Sequence, residues 1–310
     1  SKGNICTRIQ VRTIWELKIS DNPNSDESSS EAAAYFDALH HAREPASMAV
    51  VMNYMYYLLE NYGTDPGITY LVENREMFFV PIVNPDGYVY NQTTNPGGGG
   101  MWRKNRRVNS GTSCRGVDLN RNFDWQWNNN SGSSGNPCSE TYRGSSAFSE
   151  PETQAIRDYT TSISPSAAYT LHTFGGYYLG PDFSDGQQEF AIHAEINNDC
   201  LDENEHIYGD AAILLGFASG TTQYWLYDAL GSLTWTPEIG TDGFWAPVNS
   251  IIPLVNEHVK PMEYLCWVVG AIADYQGFTV LNSEGLSIGQ NLELDIEIKN
   301  KGLSQTANNV

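Results

Sequence analysis

The sequence predicts an α/β protein: a three-layer α/β/α arrangement on a mixed, twisted sheet, with a short β segment at the C-terminal end. Three observations carry this. Runs rich in β-formers alternate with runs of helical periodicity, the pattern of helices packed against a sheet. A chain of 310 residues with 40% hydrophobic content is long enough for one large domain plus a fragment. After Gly277 the texture changes, and Leu292 to Lys299 alternates apolar and charged residues. Residues 1–277 therefore read as the main domain, and 278–310 as the start of a small β-domain or β-tail.

The elements follow in order. Thr13 to Ile19 alternates and reads as a strand; Asp21 to Glu31 is a polar loop, with calcium binding as the alternative to simple solvation. Ala34 to Leu39 is a short apolar strand aimed at His41. Pro45 to Glu60 reads as a helix, since Pro is tolerated in a first turn. Its apolar residues cover most of its girth, so it is buried. Met77 to Val83 is a strand, stopped by turn chemistry at Asn84-Pro85-Asp86-Gly87. Asn91 to Asn136 is mostly loop, and so long a loop in a compact domain implies function. Pro151 to Ile163 is a helix, Ala167 to His172 a strand, Phe190 to Leu201 a helix, Leu233 to Ile239 a strand and Ile251 to Tyr275 a long helix.

Charge narrows the function. Against 17 Lys+Arg stand 37 Asp+Glu, a net charge of −20. Nucleic acid and anionic membrane both demand a basic surface, so neither is an expected partner. No apolar run reaches the roughly 18 residues of a membrane span. No signal-peptide pattern opens the chain, so any secretion signal is already gone. The five cysteines form no C-x-x-C pair, which argues against a thiolate zinc site. Cys114 and Cys138 lie in loop sequence and suggest a disulfide and an oxidising compartment. Cys266, in an apolar run, reads as a buried thiol.

Two residues separate His41 from Glu44, where a strand ends and a helix begins. An imidazole and a carboxylate at that spacing can close on one metal ion. His172 ends another strand-like run and supplies a third ligand. Two His and one Glu, with a fourth position open to water, make a catalytic zinc site. Glu238 also ends a strand, and ligands of α/β sheets collect at the carboxyl ends of strands. Asp118 is a candidate to hold a ligating His in one tautomer. Arg103, Lys104, Arg106, Arg107, Arg115 and Arg121 fall within one short stretch of a strongly acidic chain. Such a patch suggests an anionic substrate group, which an Arg fork grips at two points; pairing with acidic loops is the alternative.

These segments resemble the M14 zinc metallocarboxypeptidases. The resemblance rests on Phe36 to Pro45, Asn84 to Tyr88, Met101 to Arg106, Gly116 to Phe123, Leu171 to Phe174 and Thr236 to Gly240, in that order, and runs from about Thr13 to Tyr275. In texture the chain is closest to secreted bacterial enzymes of the A/T type. The resemblance implies that His41, Glu44 and His172 bind one zinc ion and that Asp118 orients His41. Arg103 would stabilise the oxyanion. Asn120 and Arg121 would hold the terminal carboxylate of a peptide, with Arg43 in the approach groove. Glu238 would act as general base and then general acid. It also implies a Cys114–Cys138 disulfide and a cis peptide at Thr173–Phe174.

The chain departs from that pattern in places. Gly216 stands where the family carries a mobile Tyr; Tyr208, Tyr224 and Tyr227 are candidate substitutes. Gln223 falls near the floor of the specificity pocket, without the acidic residue that selects C-terminal Lys or Arg. The expected preference is for neutral, apolar or aromatic C-terminal residues. Ser1 to Val11 reads as too short for the strand and helix that precede Thr13 in the family, leaving one sheet edge uncovered. His40 reads as a packed neighbour; His193, His206 and His258 as surface or capping residues; Trp102, Trp125 and Trp127 as loop packing. Two other functions stay open: a same-fold amidohydrolase cutting cell-wall peptides, and a catalytically silent zinc-binding or adhesion module. Oligomeric state is not legible.

Overall fold

A computed structural model describes residues 2–6, 12–180, 206–282, 289 and 291–304. Its centre is a mixed sheet of eight strands: β1 (Lys2–Cys6), β2 (Ile14–Ile19), β3 (Ala32–Ala38), β4 (Arg75–Val80), β5 (Ala167–Leu171), β6 (Tyr177–Gly180), β7 (Ile207–Asp210) and β8 (Leu233–Glu238). They lie in the order β1-β2-β4-β3-β5-β8-β6-β7. The middle four, β4, β3, β5 and β8, run parallel. β3 and β4 are buried nearly end to end, as strands covered on both faces must be. One face packs on the helices Pro45–Asn61, Pro66–Asn74 and Val259–Val268, around Phe36, Tyr54, Leu71, Phe79 and Leu265. The other packs on Pro151–Ile163 and Thr222–Leu230, around Tyr35, Phe78, Ile156 and Trp225. The three layers are as the sequence implies.

Several boundaries move. Asn84-Pro85-Asp86-Gly87 opens a helix, Pro85–Thr94: the Asn84 side chain accepts from the Gly87 amide at 2.9 Å, so the turn residues are a cap. A further helix, Pro66–Asn74, lies between the two predicted elements, and Asp65 caps it by accepting from the Gly67 and Ile68 amides. The predicted long helix from Ile251 divides into Ile251–Glu257 and Val259–Val268 around His258. Pro261 lacks the N–H that an unbroken helix would need at that turn. From Ala273 the chain is a strand, β9 (Ala273–Val280), paired antiparallel with β10 (Leu294–Asn300). The hairpin is tied back by Leu303, whose amide reaches Val268 O at 2.8 Å, and by Ser304 Oγ on Val269 O. The sheet edge expected to be bare carries β1, antiparallel to β2. The helix expected at Phe190 to Leu201, and His193 within it, lie outside the described residues.

Candidate active site and metal centre

The parallel register builds the site. β3 and β5 align Ala38 with Leu171, β5 and β8 align Tyr169 with Trp235, and a bridge joins His172 to Glu238. Three neighbouring strands thus end together, and the residues just past those ends converge. After β3 the buried Leu39 takes φ 59°, a left-handed conformation uncommon for such a residue. It turns the chain so that His40 and His41 precede the helix that begins at Pro45.

His41, Glu44 and His172 are buried and face one another. His41 Nδ1 lies 2.8 Å from Glu44 Oε1, and His172 Nδ1 lies 2.9 Å from Glu44 Oε2 and 3.0 Å from His41 Nδ1. Two imidazole nitrogens this close, with one carboxylate between them, are placed to share a single partner. Burial, and then His41, lower His172 to about 4, which keeps its ring neutral and able to ligate at neutral pH. Two nitrogens and a carboxylate suit zinc, so these residues fit the ion. The far nitrogens are held as well. His41 Nε2 is 3.1 Å from Asp118 Oδ1, and Asn120 Nδ2 is 3.1 Å from His172 Nε2. Asp118 also takes Arg103, through Nη2 at 2.8 Å and Nε at 3.1 Å. Burial alone would raise the Asp118 carboxyl, but Arg103 and His41 outweigh it and hold it well below the usual carboxylate range.

A cleft of about 370 Å³ opens on this cluster. Arg103, Asn120, Arg121, Gln223 and Glu238 all line it beside His41 and Glu44. Burial, and the charge of Glu44, push Glu238 well above its ordinary value, against the pull of Arg103 and Arg121. Arg121 is aimed by its Nε on Gly132 O at 2.7 Å and its Nη1 on Asn120 O at 2.6 Å. Gly220 makes room for that backbone: with φ 72°, a Cβ there would stand 2.2 Å from Arg121 O. Asn120 Oδ1 accepts from the Thr222 amide at 2.9 Å, which joins the 3₁₀ turn Leu119–Arg121 to the helix Thr222–Leu230. The sequence points to these residues, and the fold brings them together.

Other expected residues lie elsewhere. Arg43 is not in the cleft lining; it sits 4.2 Å over the ring of Phe244, which is. Lys104 donates to Pro137 O and Ser139 O, Arg106 lies over Tyr90 and Trp102, and Arg107 faces Glu150 at 3.3 Å. None of the three reaches the cleft, and among the described residues only Arg107 has the acidic partner that the alternative supposes. Both ends of the Gln223 amide are engaged, with Nε2 on Leu179 O and Oε1 on Thr236 Oγ1, each at 2.9 Å. Gly216 faces open space, and Tyr224 lines the cleft but is stacked on Trp125 at 4.1 Å, a fixed wall. Leu179, Ala211, Leu215, Ala218 and Phe244 add apolar lining; they come from separate loops and element ends without a shared periodicity, so the sequence does not mark them. Thr173–Phe174 is cis, and Cys114–Cys138 is a disulfide, both as the resemblance implies. His40 is a buried neighbour stacked on His172. His258 is fully buried, not a surface residue, because the helix break turns it inward. In the Asp21–Glu31 loop, Asp21, Glu27 and Glu31 cluster, but Lys18 enters beside them and pairs with Glu76, supplying a cation of its own.

Comparison with known proteins matches the zinc carboxypeptidase family model over residues 3–260. The chain is 34% identical over 279 residues to carboxypeptidase B of Bos taurus, covering 86% of this chain and 64% of that protein. It is 34% identical over 269 residues to carboxypeptidase A2 of Mus musculus, covering 83% and 62%. It thus spans somewhat under two thirds of these curated relatives. Among solved structures it is similar to thrombin activatable fibrinolysis inhibitor, with TM-score 0.77 and 26% identity over 87% of this chain and 69% of that one.

Proposed function

The chain belongs to the zinc carboxypeptidase family, and from that membership and its site we propose that it hydrolyses the C-terminal peptide bond of peptides and proteins. The observation that carries this reading is the single cleft in which a zinc-type ligand set, a free carboxylate and two guanidinium groups meet. His41, Glu44 and His172 would hold the ion. Bound zinc supplies Lewis acidity and lowers the pKa of water toward neutrality.

The chain's own residues supply the rest. Glu238 takes the proton of the attacking water and passes it to the leaving amine. Arg103 faces the oxygen on which charge develops, so it acts on the transition state more than on binding. Asn120 and Arg121 grip the terminal carboxylate and so place only the last peptide bond at the reacting position. Leu179, Ala211, Leu215, Ala218 and Phe244 give an apolar wall, and among the described residues the carboxylates lining the cleft are Glu44 and Glu238. This supports neutral, apolar or aromatic C-terminal residues as substrates. The disulfide supports an oxidising, extracellular compartment.

The test is release of the terminal amino acid from a panel of blocked dipeptides, with and without a zinc chelator. Chelation is expected to abolish release, and Glu238→Gln to lower kcat roughly 100- to 10,000-fold with zinc retained. Turnover of amidated peptides as fast as of free acids would refute the carboxylate clamp.

A further inference from the structure

A second cluster of the same composition lies apart from the cleft. His206 precedes β7, Glu257 ends the helix Ile251–Glu257, and His258 is the joint before Val259–Val268. One donor atom from each lies within 4.8 Å of the others. His258 Nε2 is 3.4 Å from Glu257 Oε1, and His206 Nε2 is 4.0 Å from the same oxygen. The two rings meet edge to face, with centroids 4.9 Å apart. His258 is fully buried, and its Nδ1 is bound to Tyr178 Oη at 2.8 Å. Its Nε2 has no hydrogen-bond partner and points at the carboxylate. A buried ring fixed on one side, with its other nitrogen unsatisfied, is the state of a histidine prepared to ligate.

We propose that His206, Glu257 and His258 bind a second divalent transition-metal ion, Zn²⁺, with a structural role. Two imidazole nitrogens and one carboxylate are a zinc-type donor set and a poor match for calcium. Zinc at ordinary bond lengths sets its donors about 3.3 Å apart; of the three donor pairs, His258–Glu257 is already at that spacing, His206–Glu257 must close by under about 1 Å, and the two imidazoles by at most about 1.5 Å. Glu257 is partly exposed, and with His206 it lines a cavity of about 290 Å³, which gives an ion a way in and leaves space for water as a further ligand. Burial favours the protonated Glu257, but His258 and His206 outweigh it and hold the carboxylate charged. The ion would join the β6–β7 edge to the break between two helices. No free carboxylate comparable to Glu238 and no guanidinium lines this cavity among the described residues except Asp242, which belongs to a loop, so the proposal is a staple and not a second catalytic centre. It does not depend on the carboxypeptidase reading.

The test is a metal count. The full chain is stripped with chelator, desalted, titrated with Zn²⁺ by calorimetry and then analysed for bound metal. The wild type is expected to hold two ions. His41→Ala should hold one, and so should His206→Ala and Glu257→Gln, the latter two with peptide hydrolysis retained. Glu257→Gln changes a partly exposed side chain, so it keeps the test decisive if His206→Ala does not fold. A wild type that holds one ion, lost in His41→Ala and kept in His206→Ala and Glu257→Gln, overturns the proposal. So does a second ion that survives both His206→Ala and Glu257→Gln, because it then sits elsewhere. Loss of the ion expected at His41 would count against the active-site reading alone.

Discussion

Two clusters in this molecule each present two imidazoles and one carboxylate, and they differ in everything around those donors. At His41, Glu44 and His172 the far nitrogens of both rings are engaged, by Asp118 and Asn120, and Arg103, Arg121 and Glu238 stand in the same cleft. At His206, Glu257 and His258, Tyr178 fixes one ring and the carboxylate is partly exposed. The donor set decides whether an ion can sit. The groups behind and beside it decide whether anything happens there. At the first cluster an ionised Asp118 is shared between a ring and a guanidinium; among the described residues no such shared anion backs the second.

The comparison can be broken most sharply at Arg103. Arg103→Met should lower kcat about 100- to 1,000-fold while KM and zinc content hardly change. A fall in affinity without a fall in kcat would reassign this residue to ground-state binding. Next comes support of the ligands. Asp118→Asn should weaken zinc binding about 10- to 100-fold, measured by competition with a chelator. Tyr178→Phe at the second cluster should cost less, since a hydroxyl replaces a carboxylate as the supporting group. Equal losses would mean that the two clusters are supported alike.

The smallest expected effect lies outside both clusters. Burial lifts Glu152 from 4.5 to about 8; Glu150 adds to this, while a backbone amide and Asn105 oppose it. A carboxyl whose pKa rises on folding binds more protons folded than unfolded between those values. Its contribution is therefore full at low pH and is lost as pH climbs from 4.5 to 8. Glu152→Gln should flatten the dependence of Tm on pH over this range and raise Tm at pH 8 by on the order of a few °C. Thermal melts at several pH values check it, and an unchanged profile would show that Glu152 is ionised in the fold.

The ligand set is legible because its residues carry unusual spacing and end strands; Glu238 stands out at a strand end and Arg103 in a basic patch, and the resemblance adds their separate roles. The cleft walls are not legible. Leu215, Ala218 and Phe244 sit in turns where apolar residues follow no period, so nothing in the sequence distinguishes a pocket wall from a packed loop. The interior position of His258 departs from expectation for a related reason. A histidine in helical sequence normally faces outward, and only the break forced by Pro261 turns His258 into the interior. The strand at Ala273 was hidden because its register comes from β10, some twenty residues on, and not from its own periodicity.

The convergence of β3, β5 and β8 also constrains how the protein comes to exist. His41 and His172 are 131 residues apart, and their donors meet when the parallel strands β3 and β5 have aligned. Pairings of that separation make high contact order, and they form slowly, after the chain has lost most of its freedom. An ion at this site therefore cannot serve as a folding nucleus, as it does in small domains that collapse around a metal. It arrives on a finished frame, and its kinetic signature is a slower unfolding limb with the folding limb unmoved.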